Sequence, residues 1–169
     1  MRQTIGSTWI FQLVIIFTFI FAGYIALTIN FSKSFKVKNE MLSQIEKNQG
    51  MTSNGVRLIN NYLVQTGYKT TGKCKIDAGP PVYGAKSLDA NTNIGSLIEI
   101  AVPNKEYYYC FSKVSTYHEV YKSRAYYRVQ LFFRFDLPVL GDIYAFNIDG
   151  QTSEIDSTYD QDNFAVWGS

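Results

Sequence analysis

A long apolar run near the start of the chain, WIFQLVIIFTFIFAGYIALTI, limits the architectures open to this sequence. The run begins at Trp9 and ends at Ile29, and no charged residue lies between Arg2 and Lys33. About 20 helical residues, each rising ~1.5 Å, cross the ~30 Å hydrocarbon layer of a bilayer. A core helix in so small a protein is rarely apolar over this length. We therefore predict a transmembrane helix with Trp9 and Ile29 at its ends.

The residues around this run favour a retained anchor over a cleavable secretory signal. A signal has a shorter apolar region, followed by small residues at its cleavage site. Here the run ends in ALTINFSKSF, where Ala26 is the one small residue in a suitable place, and no cysteine follows that would carry a lipid. We predict a single-pass protein of the cell membrane, with residues 1–30 as its anchor.

Two features disagree about which side of the membrane the rest of the chain occupies. Arg2 precedes the run and three lysines follow it, so the positive-inside rule favours a cytoplasmic domain. A Tyr- and Thr-rich strand domain able to form a disulfide instead favours an oxidising compartment. We predict an extracytoplasmic domain, and the alternative is a cytoplasmic domain with reduced cysteines.

Helical periodicity continues beyond the anchor. Residues 31–48 contain no proline or glycine, and the apolar side chains at Phe31, Phe35, Leu42 and Ile45 share one helical face. This pattern predicts that residues 31–50 form an amphipathic continuation of the same helix, which Gly50 ends.

A second, shorter helix follows this continuation. Thr52, Ser53 or Asn54 is suited to cap it, and Gly67 is suited to end it. Its apolar positions have helical spacing, which predicts that they belong to the core: Val56, Ile59, Tyr62 and Leu63.

The rest of the chain has the pattern of a sheet. Residues 68–93 are rich in Gly, Pro, Thr and Asn, which predicts a long loop with at most one short strand. Strands are predicted at residues 96–102, 105–114, 126–135 and 143–148, with turns at 103–104 and 149–152. In the third strand the odd positions are apolar, whereas the even ones include Arg128, Gln130 and Arg134. Such alternation predicts one buried and one wet face.

The predicted fold class is therefore α+β. A long N-terminal transmembrane helix continues into an amphipathic helix, which packs on a C-terminal antiparallel sheet of about four strands. Residues 51–169 form the exported α+β domain, with the sheet at about 95–150. Two cysteines, Cys74 and Cys110, are expected to form a disulfide that ties the long loop to the sheet.

No enzymatic chemistry is predicted. The single histidine, His118, has a polar strand context typical of a surface residue, and no GxSxG, HExxH, CxxC or glycine-rich phosphate loop occurs. We assign no catalytic residue, metal ligand, cofactor or small-molecule substrate. A net charge of +2 argues against nucleic acid as a partner. The aromatic runs YYYCF and YYRVQLFF are interpreted as sheet packing and as a surface for protein partners.

The plan of the chain resembles bacterial type IV pilin-like proteins, especially the TadE-like pseudopilins of tight-adherence systems. The resemblance rests on the short basic start MRQTIG, the residue Ser7, the long apolar segment, its amphipathic continuation and the β-rich domain. It implies cleavage by a prepilin peptidase after Gly6, a mature N-terminus at Ser7, and assembly through bundled apolar helices. The family usually has Glu at the fifth mature position, which is Phe11 here.

Two functional hypotheses follow, and they share the membrane anchor. In the first, the chain is a pilin-like or pseudopilin subunit of the envelope that assembles with copies of itself or with other pilin-like subunits. In the second, it is a monomeric membrane-tethered binding domain, such as an accessory subunit of a secretion or cell-wall system. Self-assembly separates the two.

Overall fold

The computed structural model describes the backbone of residues 2–89, 94–116, 124–137 and 141–156, and the side chains of residues 8–89, 95–116, 124–134 and 145–156. The predicted strand residues around His118 and the C-terminal residues 157–169 lie outside these ranges. A single helix, α1 (Arg2–Lys47), opens the chain. It ends as predicted, since Gly50 has φ 134° and its N–H donates to the Ile45 carbonyl at 2.9 Å.

The second half of α1 packs on the domain through only part of the predicted face: Ile45 is buried and Leu42 packs at the edge of the core. Phe31 and Phe35 are 43% and 47% exposed, so their predicted place in the core is wrong. The buried face instead follows a neighbouring row of residues at helical spacing: Ser34, Val37, Met41 and Ile45. Ser34 fits there because its hydroxyl donates to the Asn30 carbonyl at 2.9 Å.

The second helix, α2 (Ser53–Gln65), forms where its caps predict. Thr52 Oγ1 accepts a hydrogen bond from the Gly55 N–H at 3.1 Å, and Gly67 follows the helix with φ 73°. Val56, Ile59 and Leu63 are buried as predicted, while Tyr62 packs at the edge of the core.

Two short strands lie in the segment predicted to hold at most one. These are β1 (Gly72–Lys73) and β2 (Val82–Ala85), and a four-residue helix, α3 (Ile94–Leu97), follows them. The remaining strands are β3 (Ile98–Ile100), β4 (Glu106–Tyr107), β5 (Tyr109–Thr116), β6 (Arg124–Leu137), β7 (Gly141–Gln151) and β8 (Ile155–Asp156).

The main sheet is entirely antiparallel in the ranges described. Its order is β3-β2-β5-β6-β7, with β8 paired to the start of β6, which makes six strands rather than about four. A separate two-stranded ladder joins β1 to β4. The turn at residues 103–104 is present, with Asn104 at φ 69°. The strands on its two sides are not sheet neighbours, because β4 pairs with β1 and because β2 lies between β3 and β5.

The predicted turn at residues 149–152 is largely wrong, since β7 continues to Gln151. Gly150 serves helix packing instead of chain reversal. A Cβ built on it would lie only 3.0 Å from Leu42 Cδ1 of α1, so the absence of a side chain allows the strand to approach the helix closely.

One face of the sheet carries the core. The odd residues of β6, Tyr127, Val129 and Leu131, are buried as predicted. They join Tyr109 and Phe111 of β5 and the buried faces of α1 and α2 in one apolar cluster. The α+β arrangement of a long helix on an antiparallel sheet is therefore present.

The opposite face of β6 is more buried than its alternation predicted. Gln130 and Phe132 occupy even positions but are 9% and 3% exposed, whereas Arg128 and Arg134 do face solvent. The segment that contains Cys74 covers the two buried residues. A second, smaller cluster thereby forms on this outer face, from Ala101, Tyr107, Cys110 and Phe132.

Candidate functional site: an apolar helix on a disulfide-pinned domain

Most of the first half of α1 has no cover from its own domain, since residues 8–22 are all exposed. Trp9 is 73% exposed and Ile29 is 51% exposed, and the large apolar residues between them are also exposed except for Leu27, which is half-buried. In the described chain, one helix is long and apolar enough to cross a membrane, with a mean hydropathy of 2.4 over its best 18-residue window. A monomer with this surface in water would expose far more apolar area than soluble proteins tolerate.

Two threonines of this segment find hydrogen-bond partners within the helix. Thr18 Oγ1 donates to the Val14 carbonyl at 2.8 Å, and Thr28 Oγ1 donates to the Tyr24 carbonyl at 2.9 Å. Hydrocarbon offers no partner for a polar group, so such internal bonds are what a helix in lipid or in an apolar bundle needs. Gly6 and Ser7 lie on the α1 backbone, but their side-chain surroundings are outside the described residues.

The structure brings the two predicted cysteines together. Cys74 and Cys110 are disulfide-bonded, with their Cα atoms 5.7 Å apart and a sequence separation of 36. Next to the bridge, the Lys75 N–H donates to Gln130 Oε1 at 3.0 Å. The bridge and this hydrogen bond hold the otherwise irregular segment against the outer face of β5 and β6.

Two glycines allow aromatic rings to lie flat on the backbone near this bridge. A Cβ built on Gly72 would lie 2.3 Å from the Phe132 ring, and one built on Gly84 would lie 2.4 Å from the Tyr107 ring. Both distances are too short for any real side chain. Sequence reasoning assigned these glycines to a loop, because a glycine under a ring has the same sequence signature as a glycine in a turn.

A charged cluster beside Tyr107 was not predicted from the sequence. The Glu99 carboxylate binds Lys105 and Lys86, the latter at 3.2 Å, and accepts a hydrogen bond from the Tyr107 hydroxyl at 2.9 Å. The hydrogen bond from Lys105 is the main cause that lowers the pKa of Glu99. The cluster fixes the end of β3 against β4, and its partners are brought together only by folding.

Tyr68 links β5 to β6 where their ladder ends. Its hydroxyl donates to the Tyr108 carbonyl at 2.8 Å and accepts from the Phe132 N–H at 2.9 Å. The last paired residues of the two strands are Tyr109 and Leu131, so the hydroxyl takes the place of the next backbone pair. Burial raises the pKa of Tyr68 well above its ordinary value.

We expect Tyr68→Phe to lower the free energy of unfolding by about 1–3 kcal/mol. The substitution leaves a buried carbonyl and a buried N–H without the hydroxyl that now joins them. Chemical denaturation of the full chain in detergent would measure the loss. Tyr62→Phe, on the same side of the domain but at the edge of the core, is the matched control and should change stability much less.

Alkaline pH is expected to destabilise the domain. Burial raises the pKa of both Tyr68 and Tyr109 from the ordinary value of 10.0, so these groups lose their protons more readily in the unfolded chain. Their contribution to stability is complete below about pH 10 and is lost above it, by at most ~1.4 kcal/mol per pH unit for each tyrosine. Unfolding measured from pH 9 to 11 would give this slope. Tyr109→Phe should make it shallower, and an unchanged slope would contradict the assignment.

A shallow groove of about 560 Å³ lies on the outer face of the sheet, between the Cys74 segment and β5–β7. Its charged lining residues are Lys75, Asp77, Arg128 and Asp149. The described residues include no cluster of His, Cys, Asp and Glu suited to hold a metal ion. His118 lies outside these residues. The groove mixes both signs of charge, so its lining points to no particular ligand.

Comparison of the chain with protein-family models, with curated proteins and with solved structures found no match.

Proposed function

We propose that this protein is a single-pass envelope protein that assembles through its N-terminal helix, as a pilin-like or pseudopilin subunit. Residues 9–29 anchor it in the membrane before and during assembly, and the sheet domain is displayed outside the cytoplasm. Its role is structural, and its partners are the lipid bilayer and protein subunits that present a similar helix.

One observation carries this proposal. α1 is a single uninterrupted helix whose first half is exposed and apolar, while its second half forms part of the domain core. A tether needs only a span and a flexible linker. Here the span is a rigid extension of the core, which holds the domain at a fixed height and orientation relative to the apolar segment. Fixed geometry of this kind is what ordered packing of identical subunits requires.

The disulfide supports an extracytoplasmic domain. Structural disulfides persist in oxidising compartments and are rare in the cytosol, and this one covers a buried part of the sheet. Lys33, Lys36 and Lys38 favour the opposite topology. An impermeant thiol reagent, applied to intact cells with and without an impermeant reductant, decides between the two. Labelling of Cys74 and Cys110 only after reduction supports export, whereas labelling only after lysis and without reduction contradicts it.

Self-assembly is tested by cysteine cross-linking along the exposed helix. Single cysteines are introduced at each position from 13 to 20, the membranes are oxidised, and dimers are counted on a non-reducing gel. We expect dimers at positions that recur every three or four residues, since only one face of α1 meets a neighbouring copy. Lys47→Cys, at the far end of α1, is the control. The absence of dimers at all eight positions would favour the monomeric tethered domain.

Processing after Gly6 is a separate part of the proposal. Phe11 stands where pilin-like families have Glu, so assembly of this chain would rest on apolar packing without that charge. Intact-mass measurement of the mature protein should show a chain that begins at Ser7, and Gly6→Leu should retain residues 1–6. A full-length mass for the unaltered protein would rule out prepilin cleavage and leave the anchor unaffected.

A further inference from the structure

Strand β7 runs alongside α1 in the same direction. The Phe31 and Phe146 rings lie 5.3 Å apart between centroids, Gly150 faces Lys38 and Leu42, and Glu46 Oε1 accepts from the Ser153 N–H at 2.8 Å. From Phe146 to Gly150 a strand rises about 13 Å. From Phe31 to the midpoint of the Gly150 contacts a helix also rises about 13 Å. The equal rises indicate that the two elements cross at a small angle.

The other end of β7 therefore extends past Ile29, the residue at the domain side of the apolar run, toward the N-terminus of α1. β7 begins at Gly141, which is paired with Leu137, the last residue of β6. Gly141 lies five residues before Phe146, or about 17 Å farther toward the N-terminal end of α1. Ile29 lies two residues before Phe31, or about 3 Å. The paired end of the β6–β7 hairpin thus extends about 14 Å below the level of Ile29.

This overlap conflicts with a bilayer whose hydrocarbon layer ends at Ile29. One rung from the hairpin end, Asp136 is paired with Asp142, about 10 Å below Ile29 on the same count. Carboxylates are costly in hydrocarbon and are rare there. The hydrocarbon layer must therefore end at a residue of α1 that precedes Ile29, because otherwise the hairpin would place two acidic residues in the leaflet.

The sequence of α1 leaves room for such a shift. Residues 3–32 are uncharged, and they are longer than the ~20 residues that a bilayer needs. The last residue of a 20-residue span can move from residue 29 back to residue 22 before Arg2 enters the hydrocarbon. That shift is about 10 Å, which equals the depth of the Asp136 and Asp142 rung.

We propose that the paired end of the β6–β7 hairpin, Leu137 opposite Gly141, rests at the phospholipid headgroup boundary and stops α1 from entering the bilayer as far as Ile29. The hairpin acts as a depth stop, and Asp136 and Asp142 lie at the boundary between headgroups and hydrocarbon. In the chain before any cleavage after Gly6, the lipid-crossing part of α1 then ends near residue 22 instead of at Ile29, with Arg2 at the opposite boundary. This inference rests on the proposed membrane anchor and adds a second lipid contact to it.

Spin-label accessibility in phosphatidylcholine–phosphatidylglycerol vesicles tests the proposal. The full chain carries one added cysteine at a time, labelled with its native disulfide intact, at Phe17, Ile25, Leu137 or Gln151. The accessibility of the label to oxygen reports its exposure to lipid, and its accessibility to a water-soluble nickel chelate reports its exposure to water. We expect the nickel accessibility at Ile25 to exceed that at Phe17 severalfold. We expect Leu137 to show far less nickel accessibility than Gln151, which lies on β7 ten residues beyond Gly141, the partner of Leu137. Ala145→Cys, an exposed site between these two, should give an intermediate value and replaces Leu137 if that variant does not fold.

The outcomes separate the two proposals. If Phe17 is open to the nickel chelate, the membrane anchor itself is wrong. If Phe17 is protected and Ile25 is equally protected, α1 enters to Ile29 and the depth stop is wrong. If Leu137 resembles Gln151, the hairpin does not reach the lipid. If Leu137 is shielded from oxygen as well as nickel, protein covers the hairpin, which overturns the lipid contact in favour of a second subunit.

Discussion

Replacing Cys74 and Cys110 together by alanine is expected to lower the free energy of unfolding by roughly 3 to 4 kcal/mol. The disulfide closes a loop of 36 residues, and opening it restores the corresponding chain entropy to the unfolded state. The folded state is affected as well, because the bridge holds the segment that covers Gln130 and Phe132. Chemical denaturation of the full chain in detergent, with and without reductant, would measure the change.

The double variant supplies its own control for this experiment. Reductant should destabilise the unaltered chain to about the level of the double variant and should leave the double variant unchanged. A loss below about 1 kcal/mol, well under the range usual for a native disulfide, would contradict the expected role of the bridge. The Lys75–Gln130 hydrogen bond and the rings over Gly72 and Gly84 would then be sufficient to hold the segment in place.

Introducing Ile16→Asp and Ile20→Asp together is expected to release the protein from the membrane. Both residues are exposed on the first half of α1, one helical turn apart. A carboxylate at the centre of a lipid-crossing helix costs about 2.5–3.5 kcal/mol on insertion scales, so the pair costs at most about 5–7 kcal/mol. The fraction that remains in the membrane pellet after alkaline carbonate extraction would report the loss.

Ile16→Leu with Ile20→Leu is the matched control, since it keeps the positions and the apolar character. We expect that variant to remain in the pellet like the unaltered chain. If the aspartate variant also remains there, the segment is held by protein partners and not by lipid. Circular dichroism of the purified aspartate variant would check that the sheet domain still folds.

The helices could be predicted from the sequence because their signals are local. Thr52 and Gly67 mark the ends of α2, and Gly50 marks the end of α1. The buried face of α1 was partly misassigned, at Phe31 and Phe35, for an equally local reason. Phe35 is large and apolar, whereas its neighbour Ser34 is polar, and nothing in the sequence records that the Ser34 hydroxyl bonds to its own helix.

The sheet was only partly predictable, because its order depends on contacts between distant residues. The clear alternation of β6 identified its buried face, but Val82–Ala85 is too short to show a period. β2 is defined by its neighbours β3 and β5, which follow it in the chain. The burial of Gln130 and Phe132 likewise depends on the Cys74 segment, and the cysteine pair was the one sequence sign that this segment lies on the sheet.

The path of β7 beside α1 has a mechanical consequence. A force that pulls the apolar half of α1 along the helix axis, away from the domain, acts parallel to this contact. The contacts at Phe146, Gly150 and Ser153 are then loaded together in shear, and none of them can peel apart ahead of the others. Resistance to such a pull is governed by the rate of forced unfolding rather than by equilibrium stability. The joint between helix and sheet is thus built to transmit tension into the domain.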